Sequence, residues 1–466
     1  MATVKPTIPK GTRDFSPYQV AQRNYVKSVL TECFHVFGFE PIETPSFEKT
    51  ETLMGKYGTE GDRLIFKILN SGEKVKKANI SALEKGDLQT FTDSLSEKAL
   101  RYDLTVPFAR FVAQYQNDLV FPFRRYQIQN VWRADRPQHG RFQEFTQCDA
   151  DIVGDRSLFQ EVEVIQLYDR VFTQLGLSGV TLKINNRKIL AGIADLLGAS
   201  DQLLAFTVSL DKLDKIGREG VEKELRAKNF SQSALDKLAP LFELNGSPLH
   251  KLTQLRELLG STEVGLSGID EIAFILDQLE NNPLSIALDV DVTLARGLDY
   301  YTGLIVEVAP PQGIKMGSLG GGGRYDDLTR SFGLKDKSGI GISFGFDRIG
   351  LVLEELKLYP ETVQQKTQLL ITLSDADATS WGLQLLADLR RSNIASELYP
   401  TQAKYKKQLS YANQKGIPWV VICGSEEWQQ DHFILKNMNT GKETNFPLAE
   451  ALKVLSNHLI AAERKE

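Results

Sequence analysis

The architecture of this chain turns on residues 123–151, FRRYQIQNVWRADRPQHGRFQEFTQCDAD. From Phe121 to Trp132 the sequence is rich in aromatic and β-branched side chains, which predicts a strand. The loop ADRPQHGRFQ follows, where Pro137 and Gly140 break regular structure before a second strand returns. Arg124, Arg125, Arg133, Arg136 and Arg141 lie in or beside this strand–loop–strand unit. A guanidinium offers phosphate oxygens a planar fork and keeps its charge even when partly buried. Two readings follow. The arginines grip a polyphosphate from strand ends beside a loop, or they form surface ion pairs on an antiparallel hairpin. Spacing alone supports both.

Working outward, three downstream blocks set polar groups among apolar ones. LARGLDYYTG (294–303) places Arg296, Asp299, Tyr300 and Tyr301 between apolar stretches, with glycines on either side. A buried guanidinium or phenol needs a partner, so such groups either line a pocket or cap a sheet edge. GSLGGGGRYDDL (317–328) carries Gly320 to Gly323 in succession, which lets backbone approach a ligand or another strand closely; a tight turn is the simpler alternative. No GK[ST] follows it, so it is not a P-loop. SFGFDRIG (343–350) puts Arg348 just inside a helix start, where a single arginine is commonly a surface residue.

The rest of the chain supplies the frame. Residues 17–37 predict an amphipathic helix, with Val26, Val29, Leu30, Cys33, Phe34 and Phe37 on one stripe and Gly38 as its stop. Leu64 to Ile68 predicts a strand, and the polar 70–98 stretch an inserted surface loop. Continuous helical periodicity over 187–285 predicts a helical insertion domain. Beyond residue 367, QLLITLS, ASELYP and WVVICGS predict strands alternating with helices near 379–391, 402–414 and 447–462. That alternation indicates a small α/β domain with a largely parallel sheet. Lys404, Lys406 and Lys407 on one of its helices are candidate phosphate contacts or simply a solvated face.

Composition narrows the classes. At about 150 residues per domain, 466 residues suggest roughly three domains. With 42% hydrophobic and 25% charged residues the chain is globular rather than disordered. A net charge of -5 gives no global attraction to polyanions, so any such site is a local basic surface. The three cysteines, Cys33, Cys148 and Cys423, are far apart and odd in number, which argues against a disulfide framework or structural zinc and for a reducing cytosol. No apolar run of signal-peptide or membrane-span length is present, so a soluble, cytoplasmic protein with no membrane partner is expected. HExxH and GxSxG are absent and the five histidines are scattered, which leaves zinc hydrolases and Ser or Cys nucleophile enzymes little support.

Taken in order, KGTRDFSP, LRYDLTVPFAR, VWRADRPQHGRFQEFTQCDAD, LARGLDYYTG, GGGRYDDL and GISFGFDRI resemble the blocks of the histidyl-tRNA synthetases, a class II aminoacyl-tRNA synthetase family, over essentially the whole chain. The RGLDYY block is the part that points to histidine within class II. The resemblance implies an α+β catalytic domain on a mixed, mainly antiparallel class II synthetase sheet of about seven strands. It implies division into residues 1–186 and 286–364 as catalytic domain, 187–285 as helical insertion, and 365–466 as a C-terminal α/β anticodon-binding domain.

The implied reaction is histidine–tRNA ligation. Histidine and ATP give histidyl-adenylate and diphosphate, and the histidyl group then passes to the 3′ end of tRNA(His). By resemblance, Arg133 holds the α-phosphate and the amino-acid carboxylate, and Arg296 lies against the α-phosphate; these two are the candidate catalytic residues. Arg141 and Arg348 grip the β- and γ-phosphates, and Phe145 stacks on adenine. Asp103, Leu104, Thr105 and Gln147 take the α-amino group, while Asp151, Tyr300 and Tyr301 read the imidazole. No protein metal ligand is expected; Mg²⁺ comes with ATP, which is a substrate. A homodimer is implied as well. The rival is a catalytically inactive paralogue serving as a regulatory subunit of histidine biosynthesis. Such proteins usually lack the terminal module that residues 368–466 resemble.

Overall fold

The computed structural model describes residues 5–295, 301–363, 367–374 and 376–463. They form two compact units, Met1–Tyr359 and Pro360–Glu466.

In the first unit, Ser16 starts the helix Pro17–Val36. Its hydroxyl accepts the Gln19 N–H, and the Gln19 side chain accepts the Ser16 N–H in return. The predicted stripe is the buried one: Val26, Leu30, Cys33 and Phe34 are in the core, with Val29 and Phe37 packed against it. Each such side chain contributes about 2 kcal/mol by leaving water.

The strands of this unit, among the described residues, are β1 (Glu40–Pro41), β2 (Phe47–Lys49), β3 (Lys67–Ile68), β4 (Lys98–Leu100), β5 (Phe123–Trp132), β6 (Glu144–Val153), β7 (Thr181–Asn186), β8 (Ala287–Val290), β9 (Tyr301–Ala309), β10 (Gly320–Tyr325) and β11 (Gly339–Phe344). Eight of them make one sheet in the order β1-β5-β6-β11-β10-β9-β7-β8, one strand more than expected. The middle is antiparallel; only the edge pairs β1–β5 and β7–β8 are parallel.

The strand–loop–strand unit is the antiparallel pair β5–β6, in register from Phe123↔Val153 to Trp132↔Glu144. Side chains alternate between faces. Tyr126, Cys148, Ala150 and Ile152 therefore go to the core beneath the first helix. Arg125↔Asp151, Gln127↔Asp149 and Gln129↔Gln147 stand opposite one another on the other face. That polar face is the floor of the site.

Gly320–Gly323 are not a tight turn; they lie inside β10, at the centre of the sheet. A Cβ on Gly322 would sit 2.1 Å from the Gly341 carbonyl oxygen, so only glycine lets these strands approach. Polarity also misled the reading of 70–98. Instead of an irregular loop, the stretch forms a 3₁₀ turn and two short helices, Ile80–Glu84 and Leu88–Ser94. Asn79 and Asp87 cap them by accepting the N–H groups of Ala82 and Thr90. The helical stretch runs from Arg187–Leu196 to Glu263–Glu280 and connects the parallel strands β7 and β8. Its Ile189, Phe206, Leu225 and Ile272 share one core with the sheet.

In the second unit, β12 (Leu369–Ile371), β13 (Ser396–Leu398), β14 (Trp419–Ile422), β15 (His432–Asn437) and β16 (Glu443–Pro447) order as β13-β12-β14-β15-β16. The first three are parallel as expected, but β15 and β16 add an antiparallel hairpin, so the sheet is mixed rather than largely parallel. The hairpin escaped notice because β16 is an exposed edge with almost no apolar pattern. Helices Ala376–Arg391, Tyr405–Lys415 and Ala451–Glu463 complete the unit. Among the described residues no helix is long and apolar enough to cross a membrane.

Candidate active site

A cleft of about 280 Å³ opens above the polar face of β5, β6 and β11, lined among others by Asp103, Thr105, Arg133, Arg141, Phe145, Gln147, Tyr301 and Arg348. A smaller pocket lies against it, lined by Thr105, Asp149, Asp151, Tyr301, Gly321, Tyr325, Gly341, Ile342 and Ser343. Thr105, Tyr301 and Ser343 border both, so outer cleft and inner pocket are one continuous site.

The outer cleft sets three arginines, Arg133, Arg141 and Arg348, among Asp103, Asp135 and Asp347. Arg133 follows β5; its Nε donates to the Tyr102 carbonyl at 3.0 Å and its Nη2 to Gln147 Oε1 at 3.3 Å. The Tyr102 and Phe145 rings lie 4.3 and 5.1 Å from its guanidinium carbon, which holds the fork in place. Arg348 donates through Nε to the Gly140 carbonyl at 3.1 Å and through Nη1 to the Ser318 carbonyl at 2.9 Å, which ties the 134–143 loop to the helix Phe346–Glu355. Arg141 is exposed and meets Asp135 only at 3.7 Å.

The inner pocket carries Asp149 and Asp151, and Asp103 adds a buried carboxylate on the side of the outer cleft. Asp103 is buried just before the helix Thr105–Tyr115; its Oδ1 accepts the Tyr57 hydroxyl at 2.7 Å and the Val106 N–H at 3.2 Å, while Oδ2 is buried without a hydrogen bond. Burial raises its pKa, and the Tyr57 bond and Arg133 charge oppose that. Asp151 has both oxygens engaged, one by Arg125 at 2.7 Å and one by the Tyr325 hydroxyl at 2.7 Å. A Cβ on Gly341 would fall 2.0 Å from Asp151 Oδ1, so the bare strand makes room for that carboxylate. Arg125 is fully buried, 4.1 Å from the centre of the Phe108 ring, and answers the charges of Asp149 and Asp151.

The structure thus sorts the arginines between the two readings. Arg133 and Arg141 line the cleft, Arg125 lies beneath it, and Arg124 forms an outward ion pair with Glu163. Arg136 is exposed and does not line the cleft. Leu104 is fully buried outside the lining, at the cap position of the helix Thr105–Tyr115. Arg296 and Tyr300 lie outside the described residues.

Sequence reasoning overlooked the struts. Asp347 accepts Arg13 Nη2 at 2.6 Å, the Arg23 guanidinium and the Thr146 N–H at 2.9 Å, and Arg13 lies 3.4 Å over the Phe142 ring. This joins KGTRDF to the loop and to the last helix of the site. A buried Glu161–Arg324 pair braces β10. The signal available beforehand was that these charged residues sit in apolar neighbourhoods, where a charge must be partnered.

Chemically, the arginines at the mouth can meet phosphate oxygens and the buried carboxylates beneath can meet a cationic or hydrogen-bond-donating group. Among the described residues, no three His, Cys, Asp or Glu side chains come together as a metal cage.

A family model described as Histidyl-tRNA synthetase matches residues 73–349, and one described as Anticodon binding domain matches 368–458. The Histidine--tRNA ligase of Christiangramia forsetii is 59% identical over 453 residues, covering 96% of this chain and 99% of its own. That of Flavobacterium johnsoniae is 55% identical over 471 residues, covering 97% and 99%. The crystal structure of histidyl-tRNA synthetase from Nostoc sp. PCC 7120 superposes with a TM-score of 0.80 at 26% identity, covering 98% of this chain and 100% of that one.

Proposed function

We infer the roles of the site residues from one premise: the chain belongs to the histidyl-tRNA synthetase family and is a histidine–tRNA ligase. The regulatory-subunit alternative is set aside, because full-length relatives at this identity are ligases and both family models match. ATP and histidine are substrates. The finer assignments below are our reading, carried by one observation: a cleft that gathers Arg133, Arg141 and Arg348 continues through Thr105, Tyr301 and Ser343 into a pocket lined by Asp149 and Asp151.

Histidine enters with its imidazole in the inner pocket, against Asp151 and Tyr301. Its α-ammonium meets Asp103, whose Oδ2 has no protein hydrogen bond, with Thr105, Gln147 and the backbone at Leu104. Its carboxylate then faces the mouth, where Arg133 holds it beside the α-phosphate. ATP, as its magnesium complex, places adenine on Phe145 and its outer phosphates on Arg141 and Arg348. Arg296 joins at the α-phosphate and Tyr300 near the ring.

The carboxylate is already ionised, so no protein base is needed. A carboxylate oxygen attacks the α-phosphorus, a new C–O–P bond forms, and the bond to the β-phosphate oxygen breaks to release diphosphate. The protein contributes alignment, plus guanidinium charge where the phosphorus oxygens become more negative. The terminal tRNA hydroxyl then attacks the carbonyl carbon, with AMP leaving. Discrimination comes from polar groups that an apolar side chain would leave unpaired.

We assign residues 1–186 and 286–364 to the catalytic body, 187–285 to its insertion and 365–466 to reading tRNA(His), with exposed Lys404, Lys406 and Lys407 near phosphate. A cytoplasmic homodimer is part of the same reading; Cys33, Cys148 and Cys423 are all buried thiols outside any disulfide. The test is ATP–diphosphate exchange against all twenty amino acids. Exchange with histidine alone is expected, and it should be lost in R296A with the fold intact. Parent-rate exchange in R296A would remove that residue from the site.

A further inference from the structure

Asp149 lies on β6 between Gln147 and Asp151, on the same face, and lines the inner pocket. It is 2% exposed. Its Oδ2 accepts the Gln147 Nε2–H at 2.7 Å, whereas Oδ1 is buried and receives no hydrogen bond of good geometry from the described residues. At its other end Gln147 presents Oε1 toward Arg133 Nη2, 3.3 Å away.

An amide has one donor end and one acceptor end, and an ionised carboxylate only accepts. Ionised Asp149 therefore takes the NH₂ end of Gln147 and turns its carbonyl oxygen toward the cleft. An α-ammonium only donates, so the carbonyl is the end it needs. A protonated Asp149 can donate instead, which gives up its hold on the NH₂ end and leaves Arg133 as the one described side chain that still favours this amide orientation.

We propose that Asp149 is a positioning residue for the amino acid: ionised, it holds the NH₂ end of Gln147 and so steadies the carbonyl toward the α-ammonium, and protonated, it gives up that hold and weakens the orientation, so histidine capture follows pH. This rests on the reading that Gln147 meets the α-ammonium.

The surroundings place the transition in the working range. Burial pushes the Asp149 carboxyl from 3.8 up to about 7, while Arg125 on β5 pulls it down and Asp151 and Asp103 push it up. The Ser343 hydroxyl on β11 favours the ionised form. Tyr168, from the helix Phe159–Gln174, and Tyr325 on β10 are held neutral by burial, and Tyr301 borders the pocket from β9. Arg133 reaches the group only through Gln147. An arriving ammonium adds positive charge to this cluster, which favours ionised Asp149 and sends its proton to solvent.

The experiment is histidine KM by ATP–diphosphate exchange from pH 6 to 8.5, at saturating ATP, in the parent, D149N, Q147A and the double variant. The D149N curve also serves as reference for the substrate's own imidazole titration. The parent KM should fall on the order of tenfold as pH rises through about 7, since one pH unit spans tenfold in the ionised fraction. D149N should lack that fall, with its KM on the order of tenfold above the parent at pH 8, as loss of an orienting hydrogen bond implies. Its ATP KM should stay within about twofold, because a group acting only on histidine leaves ATP binding intact. In the Q147A background D149N should add nothing. A parent KM that is flat with pH overturns the proposal without any variant. So does a D149N profile like the parent's, or an additive double variant. If instead Q147A keeps the parent's histidine KM, the underlying assignment of Gln147 fails as well.

Discussion

The mouth and the base of the site solve opposite electrostatic problems. At the mouth, exposed Arg141 meets one distant carboxylate under solvent screening, while half-buried Arg348 is held by two backbone carbonyls. At the base, Asp103, Asp149 and Asp151 are all buried and share the fully buried guanidinium of Arg125. Exposed cations cost little to keep and tolerate small shifts. Buried carboxylates cost much, and persist because Tyr57, Tyr325, Gln147 and Arg125 hold them. The ligand supplies the missing positive charge at the base and the missing negative charge at the mouth.

Breaking the base should cost most. Arg125→Met leaves the buried carboxylates uncompensated, and a loss of about 3–5 kcal/mol in unfolding free energy is expected by denaturant titration. A loss below about 1 kcal/mol would show that water or protonation already neutralises the cluster. Arg133→Ala cuts where the two regions meet. The expected drop in kcat is about 10²–10³-fold in exchange assays, with stability nearly unchanged.

A pH-dependent test separates the regions further. Asp149 titrates near 3.8 unfolded and about 7 folded, so its folded form binds the proton more tightly. By linkage its contribution is full below 3.8 and declines as pH rises toward 7. Thermal melts of D149N relative to the parent should therefore gain from about pH 4 to about pH 7 and level off above it, while R141A should show no such relative change. The smallest effect belongs to the outward-facing Arg124–Glu163 pair. Removing it should change stability by at most about 1 kcal/mol and leave exchange unaltered.

Much of this was legible in advance where pattern and chemistry coincide. The stripe on Pro17–Val36 and the strands β5 and β6 follow from periodicity. Arg133, Arg141, Phe145, Gln147, Asp151 and Tyr301 do line one site, although they come from separated segments. Local reading failed on β16, whose edge position removes the apolar pattern, and on residues 79–94, where side-chain caps start helices in polar sequence. It also passed over Asp149, which nothing in the local pattern sets apart from its neighbours. Its significance depends on what its partners leave unsatisfied.

The amino-acid sequence by itself determined the strongly patterned strands and helices, and through its ordered motif blocks it determined the family. Periodicity acts over a few residues, and motif order is a property of the chain. Only the tertiary structure decided that Arg125 is a buried counter-charge while its neighbour Arg124 faces outward, and that Asp103 and Asp149 each keep a buried oxygen with no well-formed hydrogen bond among the described residues. Adjacent strand residues point to opposite faces, and which face is buried depends on what distant segments pack against it.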